Sequence, residues 1–465
     1  MKRITHIISI VLFMAILFGF SVAFVVLPDK TYSENENRNL QTFPEITWDR
    51  LMDGSFSSDI NVYFADQFPL RDLFVSAKAL SELALLKGEN DGVLLGEKDT
   101  LAVRTFSMFK DRLTRTDGMD LYYKETVQKQ LGILNNYAAN CTVPVHAVIP
   151  PRVLDVAADS FRYPSDISAS LLGELDTVSL DVLVPVADML KEKHTSGEYV
   201  YYRTDHHWTT LGAYYAYCEI MKSFGMESSI IPKEKFEVEV VSEEFYGTTW
   251  SKGGFRFVDP DTMEFWSLGN EKDFVTTIGD RSFEGFYDRS YLDKKDKYSA
   301  FISGTNDVTL VQSVLEEERP VLLLPKDSFA NSLVPFLAQH FDLVLVNMAN
   351  RMTDISSYIQ TYSADRVLIV WNMENLITSG NLGNVPLEFK GYGTVLQVAE
   401  KAVLVRVDYE YDRIAYGDKV WLECDKSYDL AVDQKVLYTY KDVTYPEDND
   451  SYVRLETVKI EELSN

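Results

Sequence analysis

Two of the chain's six histidines stand side by side in Tyr201-Tyr202-Arg203-Thr204-Asp205-His206-His207-Trp208-Thr209-Thr210. In an extended loop, residues two apart project to the same side, so Asp205 can reach His207 and fix its tautomer while His206 points elsewhere. An oriented imidazole is a general base, and a general base needs a group to deprotonate. The best candidate is Ser328, in Pro320-Val321-Leu322-Leu323-Leu324-Pro325-Lys326-Asp327-Ser328-Phe329-Ala330-Asn331-Ser332, where a hydrophobic strand runs out into a turn. A serine there presents its hydroxyl at the edge of a sheet, and unpaired backbone N–H groups beside it can hold an oxyanion. The segment does not match the G-x-S-x-G elbow, and Asp-Ser before a helix is by itself most often a cap, so the reading draws its weight from the Asp-x-His pair. Asp205, His206 and His207 are also metal-ligand types, but His146, His194 and His340 add no supporting spacing; no metal and no cofactor is expected.

The elements that must position these groups follow from patterning. A β-prone run over 199–202 precedes the Asp-His-His motif, and a helix follows it with Thr209 or Thr210 as N-cap, Leu211, Tyr214, Cys218 and Met221 on one face, and Gly225 as the stop. The motif therefore occupies a strand-to-helix loop. Further β-like runs over 143–149, 321–324, 343–346 and 367–371, with helical stretches between them, predict a parallel α/β sheet. After Ser328 the chain is helix-compatible to His340, although Pro335 forces a late start or a kink. Helices also open the soluble part: over 56–86 apolar residues recur at helical spacing, interrupted at Pro69. After Val395 the pattern changes to short alternating strands over 402–407, 419–422, 435–440 and 452–458, which predicts a separate β module of a size that suits a small barrel similar to an oligosaccharide/oligonucleotide-binding barrel. The expected division is 1–30, 31–394 and 395–465.

Residues 7–27 carry no charge and, at about 1.5 Å per residue, reach about 30 Å, enough to cross a bilayer once. Lys2 and Arg3 lie before this run and Asp29 and Lys30 after it, so the positive-inside rule places the remaining chain outside the cytoplasm, held to the cell membrane by a single signal anchor. Ser21-Val22-Ala23 offers a peptidase site, and cleavage there would give a secreted protein instead. Lys and Arg number 45 against 71 Asp and Glu, a net charge of −26 that repels nucleic acid. Cys141, Cys218 and Cys424 are far apart and form no C-x-x-C pair, so neither a zinc ribbon nor a disulfide framework is encoded.

The Tyr-Arg-Thr-Asp205-His206-His207-Trp208-Thr string resembles the eponymous motif of the DHHW proteins, which are similar to the SGNH-hydrolase-like domains of the alginate acetylation proteins. The resemblance runs over about 32–377 and includes Glu36-Asn37-Arg38, Asp66-Gln67-Phe68-Pro69-Leu70-Arg71, Phe245-Tyr246-Gly247-Thr248 and Lys326-Asp327-Ser328-Phe329-Ala330-Asn331-Ser332. It implies an SGNH-like α/β fold with Asp205, His207 and Ser328 as a triad, in a chain order rearranged from ordinary SGNH hydrolases, and Arg203, His206 and Trp208 as supporting motif residues. SGNH enzymes use a Gly and an Asn as oxyanion donors. Gly304-Thr305-Asn306-Asp307 imitates that block, though its place between β-like runs over 298–303 and 308–312 fits a hairpin turn equally well. Asn372, directly after 367–371, is the competing donor. The function implied is extracytoplasmic transfer of an acetyl or similar group to a cell-envelope polysaccharide, with a multi-pass membrane acyltransferase as the partner that supplies the group. An esterase or deacetylase, in which water replaces the sugar, and a non-catalytic polysaccharide-binding or cell-surface scaffold are the alternatives.

Overall fold

The computed structural model describes residues 2–104, 118–161, 171–179, 181–315, 318–348, 355–378, 382, 389–408, 417–444 and 452–463. Its first element is a single apolar helix, α1 (Lys2–Val26), long and apolar enough to cross a membrane. Strands β1 (Tyr32–Ser33) and β2 (Arg38–Asn39) pair, and helices α2 (Trp48–Met52), α3 (Ser55–Asp66) and α4 (Arg71–Ala84) follow. The helical run expected over 56–86 breaks between α3 and α4 at Pro69, which lacks an N–H and disfavours helical geometry at Phe68. Strands β3 (Glu89–Asn90), β4 (Val93–Leu95) and β5 (Leu101–Val103) form a small antiparallel sheet, whose Val93 and Leu101 pack with Ala79 of α4 and with Trp250 and Phe255.

The central sheet has seven strands. They are β6 (Val145–Val148), β9 (Phe274–Ile278), β10 (Arg281–Glu284), β11 (Val308–Ser313), β12 (Val321–Lys326), β13 (Asp342–Asn347) and β14 (Arg366–Val370), in the order β10-β9-β11-β13-β12-β14-β6. The pairs β13/β12, β12/β14 and β14/β6 are parallel, whereas β11 joins antiparallel to β13 and to β9, and β9 to β10 through a tight turn at Gly279-Asp280. The sheet is therefore mixed rather than parallel throughout. Along β12, side chains alternate between two cores: Leu322 and Leu324 join Leu343, Leu345, Leu368 and Val370 on one face, and Leu323 joins Val344, Val346, Val367 and Ile369 on the other. A strand buried on both faces reads as a continuous apolar run, which is why 321–324 was legible as a strand.

Two expected strands are absent. The 199–202 run makes only a bridge, Tyr201 with Trp208, because Thr209 N donates to Val200 O (3.0 Å) and Tyr202 N to His207 O (3.2 Å), so the chain folds back on itself before any sheet partner is reached. Over 298–303 the chain forms the 3-10 turn Lys297–Ala300 and then left-handed residues Ile302 (φ 49°), Ser303 (φ 60°) and Gly304 (φ 81°), which no strand tolerates. The Gly304–Asp307 segment is thus a loop entering β11 and not a hairpin turn.

Strands β7 (Glu237–Phe245) and β8 (Asp261–Ser267) form a separate antiparallel ribbon. The C-terminal strands β15 (Phe389–Ala399), β16 (Ala402–Val407), β17 (Lys419–Cys424), β18 (Lys435–Thr444) and β19 (Val453–Glu462) close into a barrel in the order β15-β16-β17-β19-β18. Its first strand begins at Phe389, ahead of the expected boundary at 395. Gly391 and Gly393 make that stretch look like a loop in sequence, but they are where neighbouring elements come closest: a Cβ at Gly391 would lie 2.4 Å from the Tyr438 ring.

Candidate active site

Ser328 stands directly beyond the carboxyl end of β12, which has parallel neighbours on both sides, the position at which open α/β sheets collect reactive groups. Asp327 builds the turn. Its Oδ1 accepts Phe329 N (3.0 Å), capping the 3-10 helix Ser328–Leu333, and its Oδ2 accepts both Asn372 N and Asn372 Nδ2 (2.6 Å each) and Asn375 Nδ2 (3.1 Å) from the end of the adjacent β14. Helix Val334–Leu337 then starts with Pro335 in its first turn, where a missing N–H costs nothing.

The Asp-His-His loop is pinned from below by Asp261, a fully buried carboxylate at the start of β8. It accepts Arg203 N (3.1 Å), Thr204 N (2.8 Å), Thr204 Oγ1 (2.5 Å) and Arg203 Nε (3.3 Å). Thr209 caps the following helix Thr210–Ser223, its Oγ1 accepting Gly212 N (3.1 Å), and Gly225 (φ 72°) follows the end of that helix. Trp208 Nε1 donates to Ser332 Oγ (2.8 Å), so the motif tryptophan ties this loop to the helix carrying Ser328.

These supports bring Asp205, His207 and Ser328 into one hydrogen-bonded line. His207 Nδ1 lies 2.5 Å from Asp205 Oδ1, and His207 Nε2 lies 2.7 Å from Ser328 Oγ. Asp205 Oδ1 also accepts His207 N (3.0 Å), and its Oδ2 accepts Thr248 N (2.8 Å) and Thr248 Oγ1 (3.0 Å). Burial pushes the Asp205 carboxyl up, but the charges of His206 and His207 and the bonds from His207 and Thr248 outweigh it and hold the group well below the usual carboxylate range. The His207 ring stacks on Tyr298 (3.8 Å between centroids, 10° between planes), with His206 at 3.9 Å and Phe329 at 4.9 Å. Tyr298 OH donates to Ser332 Oγ (3.1 Å), which fixes the stacking ring to the Ser328 turn.

His206, expected to point elsewhere, stays beside the pair: its Nδ1 lies 3.6 Å from Asp205 Oδ1, the oxygen that His207 holds. The same nitrogen lies 2.9 Å from Thr248 Oγ1, and the His206 ring lines a small open pocket with Arg152, Leu154, Phe329, Asn372 and Glu374. Burial and the neighbouring His207 hold the His206 ring below its ordinary value. Burial also pushes Glu374 up. Asp205, His206 and His207 each offer a ligand atom within 4.8 Å of the others, but both ring nitrogens of His207 are already engaged, one by Asp205 and one by Ser328, which is the arrangement of a base rather than of a metal ligand. Of the two asparagines read as oxyanion donors, Asn372 borders the pocket with its Nδ2 donating to Asp327 Oδ2 (2.6 Å). Asn306 Nδ2 donates to Ser303 O (3.2 Å) in its own loop.

Two residues that hold the site, Asp261 and Tyr298, carry no signal in the sequence, and a third, Gly247, carries one that does not reveal its role. Asp261 sits in an ordinary Asp-Pro-Asp turn, and Tyr298 falls in a stretch that reads as strand. Gly247 belongs to a recognised motif, but its task is visible only in space, since a Cβ there would lie 2.2 Å from Asp205 Cβ.

The lysine of the serine motif has a structural task. Lys326 is fully buried with Nζ 2.6 Å from Asn331 Oδ1, and Asn331 Nδ2 reaches Gly304 O (3.3 Å). Burial pulls its amine down to about 8, against a weaker opposing pull from Asp327. A lysine held below its unfolded value penalises the fold while protonated, and the penalty is relieved as pH rises from about 8 towards about 10.4. Lys326→Met removes the titration. Denaturant unfolding of both chains across that window is expected to show the parent gaining about 3 kcal/mol relative to the variant; parallel pH responses would show that the amine keeps its ordinary affinity for protons.

No curated protein matches the chain. Among solved structures, a DHHW family protein from Eubacterium siraeum is 20% identical over 56% of this chain and 89% of its own, with a TM-score of 0.45. Bacillus cereus PatB1 with a sulfonyl adduct is 19% identical over 56% and 92% (TM-score 0.46), and the O-acetyltransferase domain of Pseudomonas putida AlgJ is 12% identical over 62% and 93% (TM-score 0.38). The family model described as DHHW protein matches residues 186–347, which run from the start of helix Val186–Thr195 to the end of β13 and contain Asp205, His207 and Ser328, so this stretch of the chain is similar to the DHHW proteins.

Proposed function

We propose that the protein is an extracytoplasmic acyltransferase of SGNH-like type that moves an acetyl or similar group onto a cell-envelope polysaccharide. The observation that carries this reading is the continuous line from Asp205 through His207 to Ser328, with Nε2 2.7 Å from Oγ. His207 takes the Ser328 proton as the oxygen attacks an acyl ester, and returns it to the departing group as the acyl–serine bond forms. A sugar hydroxyl, deprotonated by the same nitrogen, then attacks the acyl carbon and releases Ser328. Asp205, held ionised, supports the imidazolium in both halves. The tetrahedral oxyanion is assigned to Asn372, which borders the pocket beside Phe329 and His206 and whose Nδ2 carries a second hydrogen beyond the one given to Asp327 Oδ2. In this reading α1 anchors the protein, the remainder lies outside the cytoplasm, and a multi-pass membrane acyltransferase delivers the acyl group.

Release of chromophore from an acetyl ester, with and without an oligosaccharide acceptor, tests the proposal. Acceptor-dependent turnover with acetylated oligosaccharide as product is expected. Turnover indifferent to acceptor assigns an esterase, and no turnover together with retained polysaccharide binding assigns a scaffold.

A further inference from the structure

Two motifs of the resemblance, Glu36-Asn37-Arg38 and Asp66 to Arg71, take no part in this chemistry; they build a clamp at the exit of α1. Gln67 Oε1 accepts Lys30 N, and Gln67 Nε2 donates to Lys30 O and Gln41 O, all at 2.9 Å. Tyr63 OH donates to Asp29 Oδ1 (3.0 Å). Asp66 accepts Gln41 N (2.9 Å) and a two-pronged contact from Arg38, and Arg71 pairs with Glu36. Above the clamp, the last turns of α1 lie on α3 and on the segment leading into α4: Phe20 stacks on Phe68 (5.4 Å, 14°) and meets Phe74 edge-on (5.8 Å), and Phe24 lies against Phe64 (5.3 Å) and Tyr63 (5.6 Å). The apolar helix is thus bolted to the domain and is no free stalk.

Helix α4 is apolar on two sides. Ala79 is buried and Leu83 packs into the cluster of Val93, Leu101 and Trp250, yet Leu73 and Leu80, about a quarter turn round the helix, are 62% and 53% exposed, and Phe74, on the side that meets Phe20, is still 48% exposed. Phe64 and Leu70 extend the same apolar surface, at 52% and 64%. A helix with a second apolar face needs a second apolar neighbour. Continuity with the end of a membrane-crossing helix identifies that neighbour, because a surface fixed at that height lies where headgroups meet acyl chains and where aromatic rings settle.

We infer that α3 and α4 form an interfacial platform whose Phe64, Leu70, Leu73, Phe74 and Leu80 sit in the outer leaflet of the bilayer that α1 crosses. The inference rests on the reading that α1 stays in the membrane. With a net charge of −26 the protein gains nothing from anionic lipid, so the contact is apolar and persists at high salt. It holds the domain at a fixed height over the membrane, within reach of an acyl group presented there.

The test uses the full chain in vesicles of phosphatidylethanolamine and phosphatidylglycerol containing a phospholipid with a photoactivatable acyl chain, with labelled peptides mapped by mass spectrometry. Label on α1 and across Phe64 to Leu80 is expected, undiminished by salt. The L73E/L80E double variant, altered only at exposed positions, should lose roughly tenfold of the platform label and keep that on α1. Label confined to α1 overturns the platform, including the case where the same face crosslinks to another polypeptide in native membranes. A mature chain whose first peptide begins at Phe24 overturns the anchor reading itself, a separate result.

Discussion

Ser328→Ala is expected to lower turnover of a small acetyl ester by at least about 10³-fold and to abolish labelling by a serine-directed phosphonate, with no change in the unfolding midpoint. Ser328 is half-buried and its hydroxyl bonds to His207, so the substitution removes the nucleophile and little packing. His207→Ala should cost a similar factor, since Nε2 alone reaches Oγ. His206→Ala should cost far less, about tenfold, because it is His207 Nε2 that bonds Ser328 Oγ, whereas His206 meets the triad through Thr248 Oγ1, the ring face of His207 and a 3.6 Å approach to Asp205 Oδ1. Initial rates of the three variants on one ester separate these roles. Persistent phosphonate labelling of Ser328→Ala, or equal losses for the two histidines, would refute the assignment.

What could be read from sequence was what depends on short spacing. Asp205 and His207 are two residues apart, so their shared side of a loop follows from backbone geometry, and Thr209 and Gly225 mark the next helix by chemistry that acts within one turn. The pairing of that loop with Ser328 spans 121 positions; the strand-to-turn context marks Ser328 as the best candidate, and the resemblance implies the pairing. Residues whose roles are made by distant contacts stayed silent. Asp261 reads as a turn residue and yet carries the loop, and Tyr298 reads as a strand residue and yet stacks on the base. The misread strands share a cause: β-prone side chains in 199–202 and 298–303 are spent on core packing, where Tyr201, Tyr202, Phe301 and Ile302 are buried without a ladder.

Gly247→Ala should be the most damaging substitution outside the triad. The backbone at Gly247 (φ −79°, ψ −173°) is one that alanine adopts freely, so the cost comes from contact alone. The added Cβ would lie 2.2 Å from Asp205 Cβ, 2.4 Å from Oδ2 and 2.7 Å from Cα; Cβ and Cα cannot swing away, and Oδ2 is held by Thr248 N and Oγ1. Either the Asp205 loop or the Gly247-Thr248 segment must move, and both carry the bonds that orient Asp205. A shift of this kind at a catalytic group is expected to lower turnover by about 10²-fold, with a stability loss of about 1–3 kcal/mol from overpacking. Asp205→Asn alone is expected to cost about 10⁴-fold by stabilising the wrong tautomer of His207. If Gly247→Ala acts by displacing Asp205, the two losses cannot multiply: in the Asp205→Asn background Gly247→Ala should change turnover by less than about threefold while still lowering stability. A full further 10²-fold loss in the double variant would place the effect of Gly247 elsewhere, on the pocket wall beside Thr249 and His206 rather than on the carboxylate.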